Sequence, residues 1–328
     1  MVKGFWDKLK KPVMVLAPLA NVTDAAFRRL IAKYSKPAGP DIFWTEFVSA
    51  DGLVSKGREV LLKDLMYTPA ERPIVAQLFG ARPETMREAA TLVQDLGFDG
   101  LDINMGCPDA SVEKQGAGAA LIKNQKLAQE IIAAAAEGAP NLPISIKTRL
   151  GYNRDELEEW LPVLLETGVA AVTIHARTRK EMSKVPACWE RVRRAVEIRN
   201  EKGSEALILG NGDVRDLAHA HSLVAETGAD GVMLGRAIFG NPWLFSETEN
   251  SPEKSRGVEE KLKVLVEHTK LFHELLGDIK SFSIMKKHYK AYVNGFAGAA
   301  ELREKLMNTE SAKQVEEVVD KYLSSMIQ

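Results

Sequence analysis

Cys107 stands next to last in the run Asp102-Ile103-Asn104-Met105-Gly106-Cys107-Pro108, and the glycine-rich Gly116-Ala117-Gly118-Ala119-Ala120-Leu121 follows soon after. The preceding residues, Phe98 to Ile103, read as a turn and then a buried parallel strand, so the thiol emerges where strand gives way to loop. A thiol in that position can reach a ligand. With an ordinary pKa near ~8.5 it is mostly protonated at neutral pH and suits an acid better than a nucleophile. A solitary cysteine is more often a small buried hydrophobe, so this reading depends on its neighbours.

Those neighbours are polar residues that each close an apolar run: Glu46, Gln77, Asn104, Lys147, Arg149, His175, Asn211-Gly212-Asp213 and Gly235-Arg236. Any one of them has a structural explanation, since buried polar groups commonly satisfy a neighbour. Their shared position at strand ends marks one rim. Gly210-Asn211-Gly212-Asp213 and Gly235-Arg236 fall where phosphate is often bound, because glycines let backbone N–H groups approach oxygens and Arg236 can add a bidentate contact. Tight turns alone would explain the glycines but not the arginine. The far end of such a ligand would lie among Gln77, Asn104, Lys147 and His175, a donor and acceptor set suited to a planar polar heterocycle. A flavin mononucleotide (FMN) has that shape.

Other chemistries lack their signatures. No GxGxxG opens a βαβ unit, no GxSxG marks a hydrolase serine, and the six histidines include no HExxH. The two cysteines, Cys107 and Cys188, form no CxxC, so no metal site is expected.

The elements that must position these residues alternate. Strands are expected at 13–17, 41–46, 73–79, 100–105, 143–149, 171–176, 206–211 and 231–235, with helices between most of them, such as Thr23 to Tyr34, Pro83 to Leu96, Ala128 to Glu137, Asp155 to Thr167, Ala187 to Arg199 and Val214 to Thr227. Thr23 and Asp213 are the expected caps of two of these helices. Eight βα units predict an α/β protein of the (β/α)₈ TIM-barrel type, over a doubly wound sheet that would show fewer strands. The expected division is a barrel at 1–248, a polar linker at 249–257 and a lysine-bearing helical region at 258–328 broken once at Gly295 to Gly298. That tail is not needed to close the core, and the basic amino terminus reads as a lead-in to the first strand.

The chain has 328 residues, 45% hydrophobic and 27% charged, with a formal net charge of −1, which fits a soluble globular protein and argues against indiscriminate coating of nucleic acid. No secretory signal or bilayer-length apolar run is seen, and the expected compartment is the cytoplasm.

The stretches APLANVTD (Ala17 to Asp24), TEFVSA (Thr45 to Ala50), AQLFG (Ala76 to Gly80), DINMGCP (Asp102 to Pro108), GAGAALI (Gly116 to Ile122), SIKTRLG (Ser145 to Gly151), IHARTR (Ile174 to Arg179), GNGDV (Gly210 to Val214) and GADGVMLGRAIFGNPWLF (Gly228 to Phe245) resemble, in order, the motifs of tRNA-dihydrouridine synthases. The resemblance implies an FMN enzyme that reduces the C5=C6 bond of selected tRNA uridines, with NADPH or NADH as reductant. By motif, Pro18, Leu19, Ala20, Gln77, Lys147, His175, Asn211, Gly212, Asp213, Gly235 and Arg236 would hold the flavin, and Cys107 would be the catalytic acid. The extruded uridine would sit near Asn104 and Arg149. Arg177 and Arg179, with Lys180 and Lys184, are expected on the RNA side of the rim, and Lys286, Lys287 and Lys290 on a tail helix that grips tRNA. A solvated helix face is the plain alternative for those lysines. The sequence departs from the family pattern at Ala176, where glycine is common, and over Lys180 to Trp189. A flavin barrel acting on a free pyrimidine, as dihydroorotate dehydrogenases do, and a catalytically idle tRNA-binding barrel are the competing readings.

Overall fold

The computed structural model describes residues 2–35, 37–246 and 256–326. Short apolar runs form eight strands: β1 Val13–Leu16, β2 Phe43–Ser49, β3 Ile74–Phe79, β4 Gly100–Met105, β5 Ile144–Arg149, β6 Ala171–His175, β7 Leu207–Asn211 and β8 Gly231–Leu234. All neighbours are parallel, in the order β1-β8-β7-β6-β5-β4-β3-β2, and a bridge between Val15 and Ile42 closes the barrel. The second strand lies further along than the expected 41–46, because Asp41 and Ile42 form this closing seam with Met14 and Leu16.

The barrel helices are α1 Ala25–Tyr34, α2 Ala50–Leu53, α3 Arg58–Leu62, α4 Pro83–Asp95, α5 Ala110–Glu113, α6 Gln125–Gly138, α7 Leu157–Leu165, α8 Trp189–Glu201 and α9 Leu217–Thr227. Two expected caps are corrected. Asp24, not Thr23, accepts from Phe27 N–H at the start of α1, while the Thr23 hydroxyl accepts from Leu19 N–H. Asp216, not Asp213, caps α9, since Asp213 is engaged by arginines at the rim.

Strand periodicity divides the core in two. Val13, Val15, Trp44, Val75, Leu209 and Met233 fill the barrel interior, whereas alternate residues such as Leu16, Ile103 and Ile146 pack beneath the helices. The amino terminus is more than a lead-in: Trp6, in the 3₁₀ turn Gly4–Lys8, joins the interior cluster and lies 6.2 Å from Trp44. Toward the carboxyl ends of the strands polar residues take over. The pairings Gln77↔Asp102, Asn104↔Lys147 and His175↔Asn211 place them side by side.

Beyond the barrel come α10 Val258–Leu276, α11 Lys286–Tyr292, α12 Ala299–Met307 and α13 Ala312–Met326. The expected single break at Gly295 to Gly298 is joined by turns after α10 and α12. These helices share a core of Leu265, Phe272, Tyr289, Leu302 and Val315, which also takes in Trp243 and Ala26 of α1. Phe27 stacks on His268 at 4.7 Å, so the tail docks against the first barrel helix. Of the expected linker 249–257, residues 249–255 lie outside the described residues. Among the described residues, no helix is long and apolar enough to cross a membrane.

Candidate active site

A cavity of ≈ 370 Å³ opens at the carboxyl ends of the strands, within the ~300–1,000 Å³ typical of small-molecule sites. Every residue expected to hold the flavin lines it: Pro18, Leu19 and Ala20 after β1, Gln77 on β3, Lys147 on β5, His175 on β6, Asn211, Gly212 and Asp213 at the end of β7, and Gly235 and Arg236 after β8. Cys107, Asn104, Arg149 and Arg177 line it too. Sequence reasoning missed Phe47, Met182 and Met233, whose apolar side chains carry no signal distinct from core residues.

It also missed Asp102, although an acid within an apolar strand was visible. Asp102 is fully buried beneath Gln77, accepting from Gln77 Nε2 at 2.7 Å and from Ser145 Oγ at 2.5 Å. Burial pushes its pKa up to about 6, so it stays largely ionised at neutral pH. A carboxylate only accepts, which fixes the Gln77 amide: its NH₂ faces Asp102 and its Oε1 takes Asn104 Nδ2 at 3.1 Å. Asn104 Oδ1 is thereby turned toward the loop, where it accepts from the N–H groups of Gly106 and Cys107 at 3.1 and 2.9 Å. Asn104 thus shapes the turn that presents Cys107. Gly118 completes it, with φ +62 and room for no Cβ, which would meet the Cys107 carbonyl oxygen at 2.7 Å.

The cavity is cationic. Burial, then the neighbouring Arg149, lowers Lys147 to about 8, and its Nζ donates to Asn211 Oδ1 at 3.2 Å. Burial, then Lys147, holds His175 down at about 2, so the ring is neutral at pH 7. Arg177 Nη1 lies 3.1 Å from His175 Nε2 and can only donate, which puts the ring proton on Nδ1. Burial pushes the Cys107 thiol up, and it stays protonated at neutral pH.

The arginines expected to face substrate are held by the protein. Arg149 donates to Gly106 O at 2.7 Å and to Thr178 O and Met182 O at 3.1 Å each, joining the cysteine loop to the loop after β6. Arg177 donates to Val185 O at 2.6 Å and pairs with Asp213, which also pairs with the exposed Arg236. Arg179 lies outside the cavity lining and chelates Glu113 of α5. Gly212 lies between these groups with φ +128, where a Cβ would meet Ala187 Cβ at 2.8 Å. Lys286, Lys287 and Lys290 stand apart on α11, lining a groove with Arg303 and Met307.

A closed parallel barrel with a cavity at its carboxyl mouth, walled by buried ionisable side chains, defines a barrel enzyme. Solved structures of similar fold include the old yellow enzyme homologue from Zymomonas mobilis (TM-score 0.51, 14% identity, 76% of this chain and 91% of that one) and histamine dehydrogenase from Rhizobium sp. 4-9 (TM-score 0.52, 12% identity, 79% and 48%). The chain belongs to the dihydrouridine synthase family, whose description matches residues 15–327. It is 40% identical to a probable tRNA-dihydrouridine synthase of Staphylococcus aureus (strain COL), over 99% of this chain and 98% of that protein. It is 39% identical to probable tRNA-dihydrouridine synthase 2 of Bacillus subtilis (strain 168), over 98% and 97%.

Proposed function

We propose that this enzyme binds FMN in the barrel mouth and reduces the C5=C6 bond of a tRNA uridine, with NADPH or NADH as the source of electrons. The observation that carries the reading is the placement of Cys107, whose backbone N–H is held by Asn104, on the lining of a cavity of mononucleotide size that also carries Lys147, Arg149 and Arg236. The donor set fits an FMN. Gly212, Gly235 and Arg236 offer backbone N–H groups and a guanidinium to a phosphate. Lys147, Asn211, Gln77 and His175 offer hydrogen bonds to a ring edge, while Pro18, Leu19, Ala20 and Met233 supply apolar wall. Asp213 contributes through the two arginines it holds, because its own carboxylate would repel a phosphate.

When bound and reduced, the flavin supplies the hydride that adds to C6. Cys107 Sγ–H would give its proton to C5, so that the C5=C6 π bond is replaced by one new C–H bond at each carbon with the C5–C6 single bond kept, and the thiolate is reprotonated from solvent. Arg149 keeps the loop's Gly106 carbonyl fixed during that transfer. A stacked base cannot enter the cavity, so the uridine is taken in extruded, beside Asn104 and Arg149.

Replacing the thiol tests the assignment. Cys107→Ala is expected to keep FMN and tRNA affinity and to lose about 10² to 10⁴ in single-turnover product formation. The acid must be protonated, so the wild-type rate is expected to hold through neutral pH and fall only in alkaline solution, above the ordinary thiol range. A Cys107→Ala enzyme with full rate, or one with the same alkaline decline, overturns the role.

A further inference from the structure

One contact of the tail leads, through Glu46, to the segment that lines the cavity. Lys280, on the turn after α10, places Nζ 2.6 Å from Glu46 Oε2 and 2.7 Å from Asp64 Oδ1. The Lys280 and Glu46 side chains are only 11% and 5% exposed, so this pair is shielded from screening by salt. Glu46 Oε1 accepts the N–H of Asn21, the residue directly after Pro18, Leu19 and Ala20 of the cavity wall. Asn21 has φ +54, in the left-handed region that asparagine adopts more readily than other side-chain-bearing residues.

Glu46 reaches both partners because β2 is bulged. Its register with β3 slips between Trp44 and Phe47, and the Thr45 hydroxyl accepts from Gln77 N–H at 3.1 Å. A bulge of this kind re-aims a side chain. One carboxylate therefore takes a hydrogen bond from the tail on one oxygen and, on the other, from Asn21, which follows the lining residues Pro18 to Ala20.

We propose that Lys280 is a positioning residue of the cofactor site: by neutralising Glu46 it holds the Pro18 to Asn21 turn in its binding shape and couples docking of the helical tail to flavin binding. The proposal rests on the flavin reading above. Without the lysine, Glu46 is a buried carboxylate with no cation in contact, beside Asp24, whose pKa burial and then Glu46 already raise to about 7. Relief comes from turning Glu46 toward water, which releases Asn21. The coupling is reciprocal, so flavin binding also tightens the tail on the barrel.

The test uses full-length flavin-free protein, with FMN titrated by fluorescence quenching and amide hydrogen exchange followed over residues 17–23. Lys280→Met is expected to weaken FMN binding on the order of tenfold, within the ~5–150-fold usual for coupled sites, and to speed exchange in 17–23 before any FMN is added. Lys280→Arg and the double variant Glu46→Gln/Lys280→Met are expected to recover most of both. A folded Lys280→Met protein with wild-type FMN affinity and exchange overturns the proposal, even if its melting temperature falls. Should that variant not fold, Lys280→Gln is judged by the same two readouts. Failure of the wild type to bind FMN would sink the flavin reading instead, and unchanged exchange in 17–23 would separately sink the Lys280 contact as a support for the turn.

Discussion

Two groups of basic residues are expected from the sequence to face RNA, and the structure treats them differently. At the rim, Arg177 is 3% exposed and divides its guanidinium among a carbonyl, a histidine ring and Asp213, and Arg179 is chelated by Glu113, while Lys180 and Lys184 of the same loop are exposed. On α11, Lys287 and Lys290 are exposed, and neither they nor the half-buried Lys286 makes an ion pair among the described residues. The contrast follows from side-chain chemistry. A guanidinium offers several donors in a fixed plane and can tie loops together, whereas an ammonium is strongly hydrated and stays in water. Local density of positive charge does not separate the two uses. What separates them is whether carbonyls and carboxylates fold back onto the cation: Arg177 and Arg179 are held, and the lysines, on the rim loop as on α11, stay exposed to water.

The largest effect should come from breaking the rim. Arg177→Leu strands Asp213 beside Arg236 alone and leaves Val185 O and His175 Nε2 without their donor; loss of one partner from a buried ion pair typically costs ~3–5 kcal/mol, and the 35% exposed Asp213 puts this case at about 3. Urea unfolding should show that loss equally at low and high salt. A cost under ~1 kcal/mol, or one that salt removes, would place Arg177 with the surface charges.

A smaller change, of a different kind, is expected on α11. Lys286→Glu/Lys287→Glu should leave folding and FMN binding intact, weaken tRNA binding, and lower the slope of log K against log salt by about 1 for each phosphate that no longer meets a lysine. An unaltered slope across several salt concentrations would make this a solvated helix face.

The barrel is legible because its signal is repeated. Eight apolar runs with polar residues at one end give the same message many times, and Gln77, Asn104, Lys147, His175 and Asn211 all line the cavity as the strand ends imply. The cavity's anchoring contacts are not legible, since they depend on where loops return. Nothing local to Arg149 says that it will meet Gly106, Thr178 and Met182, which lie on two other segments. Glu46 reads as one more rim residue, and only the bulge in β2 and the arrival of Lys280 from 234 positions away show its part. Thr23 reads as a cap because threonine and aspartate stand side by side and the sequence does not say which turns toward Phe27.

Arg179 gives the finest test, because it lies between the two groups. It is 31% exposed, it grips a 10% exposed Glu113 on α5, and its guanidinium stands 5.1 Å from the Tyr152 ring, which also receives Lys123 at 4.3 Å. If it is a clamp like Arg177, its two-pronged hold on Glu113 is what matters, and a lysine cannot reproduce that geometry. Arg179→Gln and Arg179→Lys should then behave alike, each losing less than about 1 kcal/mol of stability, as expected of a partly exposed pair, with no change in the salt slope of tRNA binding. If it belongs with the α11 lysines, charge alone matters: Arg179→Lys would match wild type while Arg179→Gln lowered the slope by about 1. The chelated geometry favours the first outcome, in which Arg179 fixes the α5 end of the cysteine loop against the strand that carries His175.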